Sequence, residues 1–180
     1  MPTYTQCFTV NPTVRVSAGY PRYPSGGYHG GIDTVLSPDI NIYAPLAGTI
    51  LVANHWNGST SGNQSWGNYI LVEFATNEYY LVAHMQSMER TVGETLTQGQ
   101  YIGKMGATGH VTGAHTHWEW WHGGRGTSYR VDPSAILGIP NAVGTYDVVW
   151  GAPTPPTPPT PPTPTTKRKM PLWMMLRRIR

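Results

Sequence analysis

Residues 111–120 read V-T-G-A-H-T-H-W-E-W, with His115-Thr116-His117 at the centre. In a strand, alternate side chains point to the same face, so the two histidines would project together. Paired imidazoles suit a metal site with a neighbouring proton-transfer group better than they suit a hydrophobic core. Two surface histidines in a tryptophan-rich strand would give the same triplet. The choice between these interpretations depends on the rest of the chain.

The composition indicates one β-rich domain. The chain has 180 residues, of which 39% are hydrophobic, enough for a core. Gly and Pro are abundant and the aromatic residues are mostly Tyr and Trp, which favours a turn-rich β protein over a helix bundle. Cys7 is the only cysteine, which excludes a disulfide framework and a thiolate zinc cluster. From this composition we predict an all-β fold that is rich in turns.

The excess positive charge is confined to one end of the chain. Residues 1–166 carry six Lys/Arg against nine Asp/Glu, whereas residues 167–180 carry six Lys/Arg and no acidic residue. Residues 152–166 repeat Pro-Pro-Thr, which is typical of an extended polyproline II stalk. We predict a domain over 1–151, a disordered linker over 152–166 and a basic-hydrophobic tail over 167–180. The N-terminus has no secretory pattern, so we expect synthesis in a cytoplasm without a self-encoded export signal.

Residues 26–33, G-G-Y-H-G-G-I-D, place His29 four residues before Asp33. Four glycines in eight residues disfavour a helix. We therefore expect a loop that enters a strand, with both side chains directed inward, although a glycine-rich turn with an incidental histidine would fit the same letters. Further along, the polar stretch 54–68 carries Trp56 and Trp66, and a loop of this length is more often functional than idle.

Strand-like patterns account for most of the remaining domain. A short closing helical turn is predicted over 130–137, with Asp132 as N-cap and Pro133 at its first position. His84 ends an apolar run, where a hydrogen-bonded structural role is commoner than a catalytic one. Strands are predicted at residues 40–45, 48–53, 69–74 and 79–85, and residues 92–94 and 96–105 are predicted to form short strands separated by glycine turns.

Six short motifs, taken together, resemble the lysostaphin/LytM-type zinc endopeptidases in order and spacing. The resemblance covers about residues 28–137. It implies a small antiparallel β-sheet or sandwich domain of the duplicated hybrid motif type, and an enzyme that cleaves peptide bonds in bacterial peptidoglycan. The motifs are H-G-G-I-D (29–33), A-P-L-A-G-T-I (44–50), G-N-Y-I-L-V (67–72), V-A-H-M (82–85), Q-G-Q-Y-I-G (98–103) and T-G-A-H-T-H-W-E (112–119).

The resemblance also implies a role for each matching residue. His29, Asp33 and His117 would ligate Zn²⁺, which leaves one position open, as catalytic zinc sites require. His115 would be the general base, and His84 would orient the water or stabilise the oxyanion. Which of these two histidines does which stays open. Three other histidines match no family position and are interpreted as ordinary loop residues: His55, His110 and His122.

Two positions depart from the family pattern. Thr116 stands where the family usually has leucine, and Trp118 where it usually has phenylalanine. We expect Thr116 to point away from the ligands and to alter only the packing beneath the strand. A non-catalytic wall-binding or virion structural module with the same fold is the alternative, although such relatives usually lack a ligand. The expected absence of an export signal favours a phage endolysin or a virion-borne hydrolase over a bacterial enzyme.

The tail, K-R-K-M-P-L-W-M-M-L-R-R-I-R over residues 167–180, has the composition of an interfacial anchor. Its apolar run is too short to cross a bilayer. Each basic residue near an anionic surface contributes about 1 kcal/mol, so we expect it to bind anionic membrane or wall polymer. A tail without a role, or one that binds nucleic acid or a virion protein, would share this composition. Nucleic-acid binding is not expected of the domain itself.

Overall fold

The computed structural model of the protein describes residues 13–147. The predicted linker and tail lie outside the described residues, so those predictions and the predicted domain boundary stay predictions. The described residues contain no helix long and apolar enough to span a membrane. The strands are β1 (Thr13–Ala18), β2 (Ile32–Val35), β3 (Asn41–Tyr43), β4 (Gly48–Asn54), β5 (Asn68–Ala75), β6 (Glu78–Met88), β7 (Thr95–Leu96), β8 (Tyr101–Met105), β9 (Thr116–His122), β10 (Arg130–Val131) and β11 (Gly144–Asp147), and the helix is α1 (Ser134–Leu137).

The strands form a single antiparallel sheet whose main path runs β11-β1-β2-β9-β6-β5-β4-β7. β10 adds to β9, and β8 pairs with both β3 and β6. The long strand β6 joins these parts, because its residues 78–83 pair with β9 and its residues 85–88 pair with β8. His84 lies where β6 changes partner. The all-β antiparallel prediction is confirmed.

The central strands β5, β6 and β9 bury both of their faces. One face contributes to the main core, in which each fully buried large apolar side chain contributes about 1.5–3 kcal/mol relative to exposure. Because side chains alternate along a strand, His117 and Glu119 lie on the opposite face, in line with Trp121. The core face carries Ile70, Val72, Tyr80, Val82, Trp118 and Trp120. The opposite face carries a smaller cluster of Tyr69, Leu71, Tyr79, Leu81, Ala83 and Trp121.

Most predicted strands are present, but three local predictions are wrong. Residues 92–94 form a turn instead of a strand, with Gly93 at φ 91°. β9 begins only at Thr116, and His115 before it makes a single bridge with Gly106. The helix begins at Ser134, so Pro133 occupies the N-cap position that was predicted for Asp132.

Asp132 nevertheless caps this turn. Its carboxylate accepts a hydrogen bond from the Ser134 amide at 2.8 Å. At the other end of α1, Gly138 adopts a left-handed conformation and donates its amide hydrogen to the Ser134 carbonyl. A left-handed glycine is a common way to end a helix.

The second glycine of H-G-G-I-D lets β2 approach β9 closely. A Cβ atom placed on Gly31 would lie 1.9 Å from the Trp118 carbonyl oxygen and 3.0 Å from His117 Cε1. No side chain fits at that separation. Gly31 therefore permits the pairing that sets Asp33 directly opposite His117.

Gly31→Ala should lower the free energy of unfolding by about 1–3 kcal/mol, because the added methyl group must push β2 away from β9. Urea denaturation of the metal-free protein measures this change. Gly113→Ala is the matched control, since a Cβ there meets nothing within 4 Å, and it should change stability by less than about 0.5 kcal/mol. Equal unfolding midpoints for Gly31→Ala and the wild type would contradict the packing argument.

Candidate metal centre

The three predicted metal ligands, His29, Asp33 and His117, lie in one buried cluster. Asp33 on β2 and His117 on β9 are partners in the antiparallel register, and His29 reaches them from the loop before β2. The loop-into-strand interpretation of residues 26–33 agrees with this arrangement. The three side chains are almost fully buried, and one donor atom from each lies within 4.8 Å of the others.

The donor atoms are spaced as a zinc site requires. Asp33 Oδ1 lies 2.7 Å from His117 Nδ1 and 3.1 Å from His29 Nε2, and the two nitrogens are 3.1 Å apart. Ligand atoms at about 2.1 Å from a tetrahedral zinc lie about 3.4 Å from one another. The two contacts of His29 would therefore need to lengthen by about 0.3 Å and the Asp33–His117 contact by about 0.7 Å. Two imidazoles and one carboxylate are also a donor set that zinc prefers.

Hydrogen bonds on the outer side of each imidazole determine which nitrogen faces the cluster. His29 Nδ1 donates to the Gly19 carbonyl oxygen at 2.8 Å, which leaves Nε2 facing inward. His117 Nε2 lies 3.0 Å from the Glu119 carboxylate, which leaves Nδ1 facing inward. Such outer partners fix the tautomer and the ring orientation of metal-binding histidines.

The electrostatics of the cluster favour a bound cation. Burial would raise the pKa of Asp33, but the hydrogen bonds from His117 and His29 outweigh burial and hold this pKa well below its usual range. Burial would lower the pKa of His117, yet its hydrogen bonds to Asp33 and Glu119 raise it to about 9. A positive charge between the carboxylates of Asp33 and Glu119 is therefore favoured. This charge can be a proton on His117 or a metal ion bound beside it.

The other two predicted histidines flank the cluster without joining it. The rings of His84 and His115 are 4.7 Å apart, and His115 Nε2 is 3.7 Å from Asp33 Oδ1. Each ring donates Nδ1–H to a carbonyl oxygen at 2.9 Å, His84 to Thr108 and His115 to Gly113. In the neutral ring, Nε2 is then an acceptor.

His84 has an uncommon backbone conformation for a residue with a side chain, with φ 63°. A left-handed conformation costs a non-glycine residue about 1–2 kcal/mol. Burial, together with charge on His117 and His115, lowers the pKa of His84 to about 3. The protein thus holds a strained, neutral imidazole beside the cluster, a feature that is commoner at functional sites than elsewhere.

The cluster opens into a cavity of about 230 Å³. Its walls include three residues that sequence reasoning missed: Tyr23, Glu119 and Arg130. The Tyr23 ring lies 4.1 Å from the His29 ring. A turn connects the two residues, so no strand or helix pattern in the sequence could reveal this contact. Glu119 could have been found, since it follows His117 at the same-face spacing of a strand.

The loop 54–68 borders this cavity. Its 3₁₀ turn, Gly62–Trp66, brings Ser65 and Trp66 to the cavity wall. The loop is held by internal hydrogen bonds, among them one from Trp56 Nε1 to the Ser59 carbonyl oxygen at 2.6 Å.

The remaining three histidines differ from one another. His55 is an exposed loop residue, as predicted. His110 also lies in a loop, but it lines the cavity. The loop interpretation of His122 is wrong, because His122 is the last residue of β9 and contacts the Glu78 carboxylate. β9 extends two residues beyond the stretch 111–120 that was considered as a strand, which explains the error.

Residues 27–133 match the model of peptidase family M23. The chain belongs to this family. It is 34% identical over 91 residues to the peptidoglycan DD-endopeptidase ShyC of Vibrio cholerae, which is 51% of this chain and 19% of that protein. It is 30% identical over 122 residues to lysostaphin of Staphylococcus simulans, which is 66% of this chain and 24% of that protein. The match thus spans about a fifth to a quarter of the length of these curated relatives.

Solved M23 structures share the fold. The catalytic domain of lysostaphin from Staphylococcus simulans matches at 28% identity and a TM-score of 0.59, covering 68% of this chain and 91% of that domain. The catalytic domain of the prophage-encoded M23 protein EnpA from Enterococcus faecalis matches at 25% identity and a TM-score of 0.57, covering 67% and 89%. These matches confirm the resemblance found in the sequence motifs.

Replacing His29, Asp33 or His117 by Ala should abolish stoichiometric zinc binding, because the two remaining ligands leave the M23 cluster incomplete. Zinc content after dialysis, measured by atomic emission, checks this. His55→Ala is the control, since His55 is exposed, and it should retain one zinc per chain. Equal zinc content in the wild type and His117→Ala would show that the cluster is not the metal site.

His84→Gly should be more stable than His84→Ala by about 1 kcal/mol, although both variants lose the imidazole and its hydrogen bond. Glycine adopts the left-handed conformation without the penalty that alanine incurs, and its greater freedom in the unfolded chain offsets part of this gain. Thermal unfolding of the two metal-free variants measures the difference. If alanine were the more stable of the two, the strain assigned to His84 would be wrong.

Proposed function

We propose that this chain is a zinc-dependent endopeptidase that hydrolyses peptide bonds in bacterial peptidoglycan. The observation that carries the proposal is the buried His29–Asp33–His117 cluster, flanked by two further histidines that are held through Nδ1, with no Nε2 hydrogen bond among residues 13–147. The family and the relatives named as peptidoglycan endopeptidases support the substrate class. A non-catalytic module would be expected to have lost at least one of these five residues, and all five are present.

Zinc, when bound by the three ligands, would activate a water molecule as the nucleophile and polarise the peptide carbonyl group. The chain's own residues supply the proton transfers. We assign His115 as the general base: it accepts a proton at Nε2, while its Nδ1–H stays on the Gly113 carbonyl oxygen. Its side chain is 17% exposed, so it can pass this proton to the leaving amine.

His84 is suited to a different role. With its pKa lowered to about 3 by burial and neighbouring charge, it is a weak base and is neutral at physiological pH. Its Nδ1–H is committed to Thr108, so Nε2 accepts a hydrogen bond and does not donate one. We therefore assign His84 to orienting the attacking water, and not to stabilising the oxyanion.

Tyr23 is the best-placed neutral donor for the oxyanion. It lines the cavity, and its ring packs against the ring of His29. Burial, and the negative charge of Asp33, raise the pKa of Tyr23, so its hydroxyl group keeps its proton and can donate a hydrogen bond.

We also propose a phage or virion origin and delivery of the enzyme to the wall at lysis. The six Lys/Arg residues of the tail, residues 167–180, support a further proposal, that the tail binds an anionic membrane or wall polymer.

His115→Ala should retain its zinc and fold while kcat for wall cleavage falls about 10²–10⁴-fold, the usual contribution of a positioned general base. The loss of turbidity of a purified cell-wall suspension measures the rate, and mass spectrometry of the released fragments identifies the cleaved bond. His55→Ala should match the wild type. If His115→Ala lost its metal, the ligand and base roles of His115 and His117 would be exchanged. If the zinc-loaded wild type left peptidoglycan intact, the proposed function would be wrong.

A further inference from the structure

The Glu119 side chain is a fully buried carboxylate directly behind His117. Its Oε1 accepts hydrogen bonds from His117 Nε2 at 3.0 Å, Trp66 Nε1 at 3.1 Å and Arg130 Nη2 at 2.6 Å. Its Oε2 accepts from Trp121 Nε1 and Arg130 Nε, both at 2.6 Å. Five donors from four residues therefore surround one carboxylate, in a place where an unpaired charge would be costly.

We propose that Glu119 and Arg130 form a charged clamp that holds His117 with Nδ1 free to bind the metal, so that both are positioning residues for the metal centre. The inference rests on the proposed function, because it concerns the metal that this function requires. It gives a role to Glu119 and Arg130, which line the cavity but are neither predicted ligands nor predicted catalytic residues.

The hydrogen bonds that Glu119 accepts determine which nitrogen of His117 faces the metal cluster without a permanent hydrogen. An ionised carboxylate can only accept hydrogen bonds, and Trp and Arg can only donate them. The carboxylate that faces His117 Nε2 is already surrounded by four N–H groups from Trp66, Trp121 and Arg130. Nε2 must therefore carry a hydrogen, so the proton that a metal ion displaces from the ring is the one on Nδ1, the atom that faces Asp33 and His29.

The same set of N–H donors explains why residue 119 must be a negatively charged carboxylate. An amide in place of the carboxylate has one NH₂ group, and each oxygen position of Glu119 faces at least two N–H donors. In Glu119→Gln, either orientation of the amide would point its NH₂ group at N–H groups that now donate to the carboxylate. Arg130 matches the carboxylate with a two-point contact, a geometry that lysine cannot reproduce.

The first glycine of H-G-G-I-D makes room for the clamp. A Cβ atom on Gly30 would lie 2.6 Å from both Cζ and Nε of Arg130. A side chain at position 30 would therefore displace the Arg130 guanidinium group from its present place against Glu119. The two glycines therefore have different structural roles: Gly31 allows close packing against β9, and Gly30 leaves space for the Arg130 guanidinium group.

Trp66 covers the outer side of the clamp. The Arg130 guanidinium carbon lies 5.7 Å from the centre of the Trp66 ring, within cation–π distance. Trp66 also lines the cavity beside the ligands. Through Trp66 the clamp is connected to the loop 54–68, and the Trp66 ring shields the Glu119–Arg130 ion pair from water.

A second buried carboxylate provides a matched control. Glu78, at the far end of the β6–β9 pairing, accepts a hydrogen bond from Trp120 Nε1 at 2.6 Å and contacts His122 Nδ1. It therefore has the same kinds of partner as Glu119, a tryptophan and a histidine on β9. None of its partners belongs to the metal cluster.

The test compares four variants of the chain: Glu119→Gln, Arg130→Met, Gly30→Ala and Glu78→Gln. Zinc dissociation constants come from competition with a chromophoric chelator, and the visible spectrum of the cobalt-substituted protein reports ligand geometry. Circular dichroism and thermal unfolding report folding. We expect the first three variants to bind zinc about 10–100-fold more weakly than the wild type and to show altered cobalt spectra. Glu78→Gln should lose stability but keep the wild-type zinc affinity and spectrum.

The outcomes separate the clamp from the proposed function. Folded Glu119→Gln and Arg130→Met proteins with wild-type zinc affinity and cobalt spectra would overturn the clamp, even if the wild type cleaves peptidoglycan. An equal loss of zinc affinity in Glu78→Gln would also overturn it, because the effect would then be one of general stability. If Glu119→Gln does not fold, Gly30→Ala decides the question, since it keeps every charged group and displaces only Arg130. Failure of the wild type to bind zinc would overturn the proposed function instead.

Discussion

The pairing of Asp33 with His117 across β2 and β9 is the contact on which the site depends. It places a carboxylate oxygen 2.7 Å from an imidazole nitrogen in a buried position, where neither group is stable without a charged or hydrogen-bonding partner. The backbone register, not the loops, sets this distance. His29 then needs only one loop to complete the cluster. A site built mainly on strands holds its ligands more precisely than one built on loops.

β9 serves the core and the site at the same time. Its alternate residues Trp118 and Trp120 fill the main core, while His117, Glu119 and Trp121 lie on the other face. Thr116, a departure from the family pattern, is fully buried and follows the core-facing alternation, and its hydroxyl group has no hydrogen-bond partner within the described residues. The expectation that Thr116 affects packing and not the ligands agrees with this position.

Local sequence patterns predicted the strands well and the site unevenly. Alternation and β-branched runs located β3 to β6, and the motif spacing located all five histidine and aspartate residues of the site. The pattern could not show that His115 lies outside β9, because a single bridge and a strand have the same local sequence. Nor could it reveal Arg130 or Tyr23, whose contacts with Glu119 and His29 arise only when the loops fold over the sheet. The strain at His84 was also beyond prediction, since histidine is an ordinary strand residue and its left-handed conformation follows from the change of partner along β6.

We therefore infer that the strand register prepares a metal site with defined donor atoms. A crystal structure of the zinc-loaded protein, with anomalous scattering measured at the zinc edge, tests this inference most directly. We expect a single zinc bound by His29 Nε2, an Asp33 carboxylate oxygen and His117 Nδ1, with His84 and His115 unligated and Glu119 still bonded to His117 Nε2. A zinc bound through His115 or His84, or through Nε2 of His117, would contradict it.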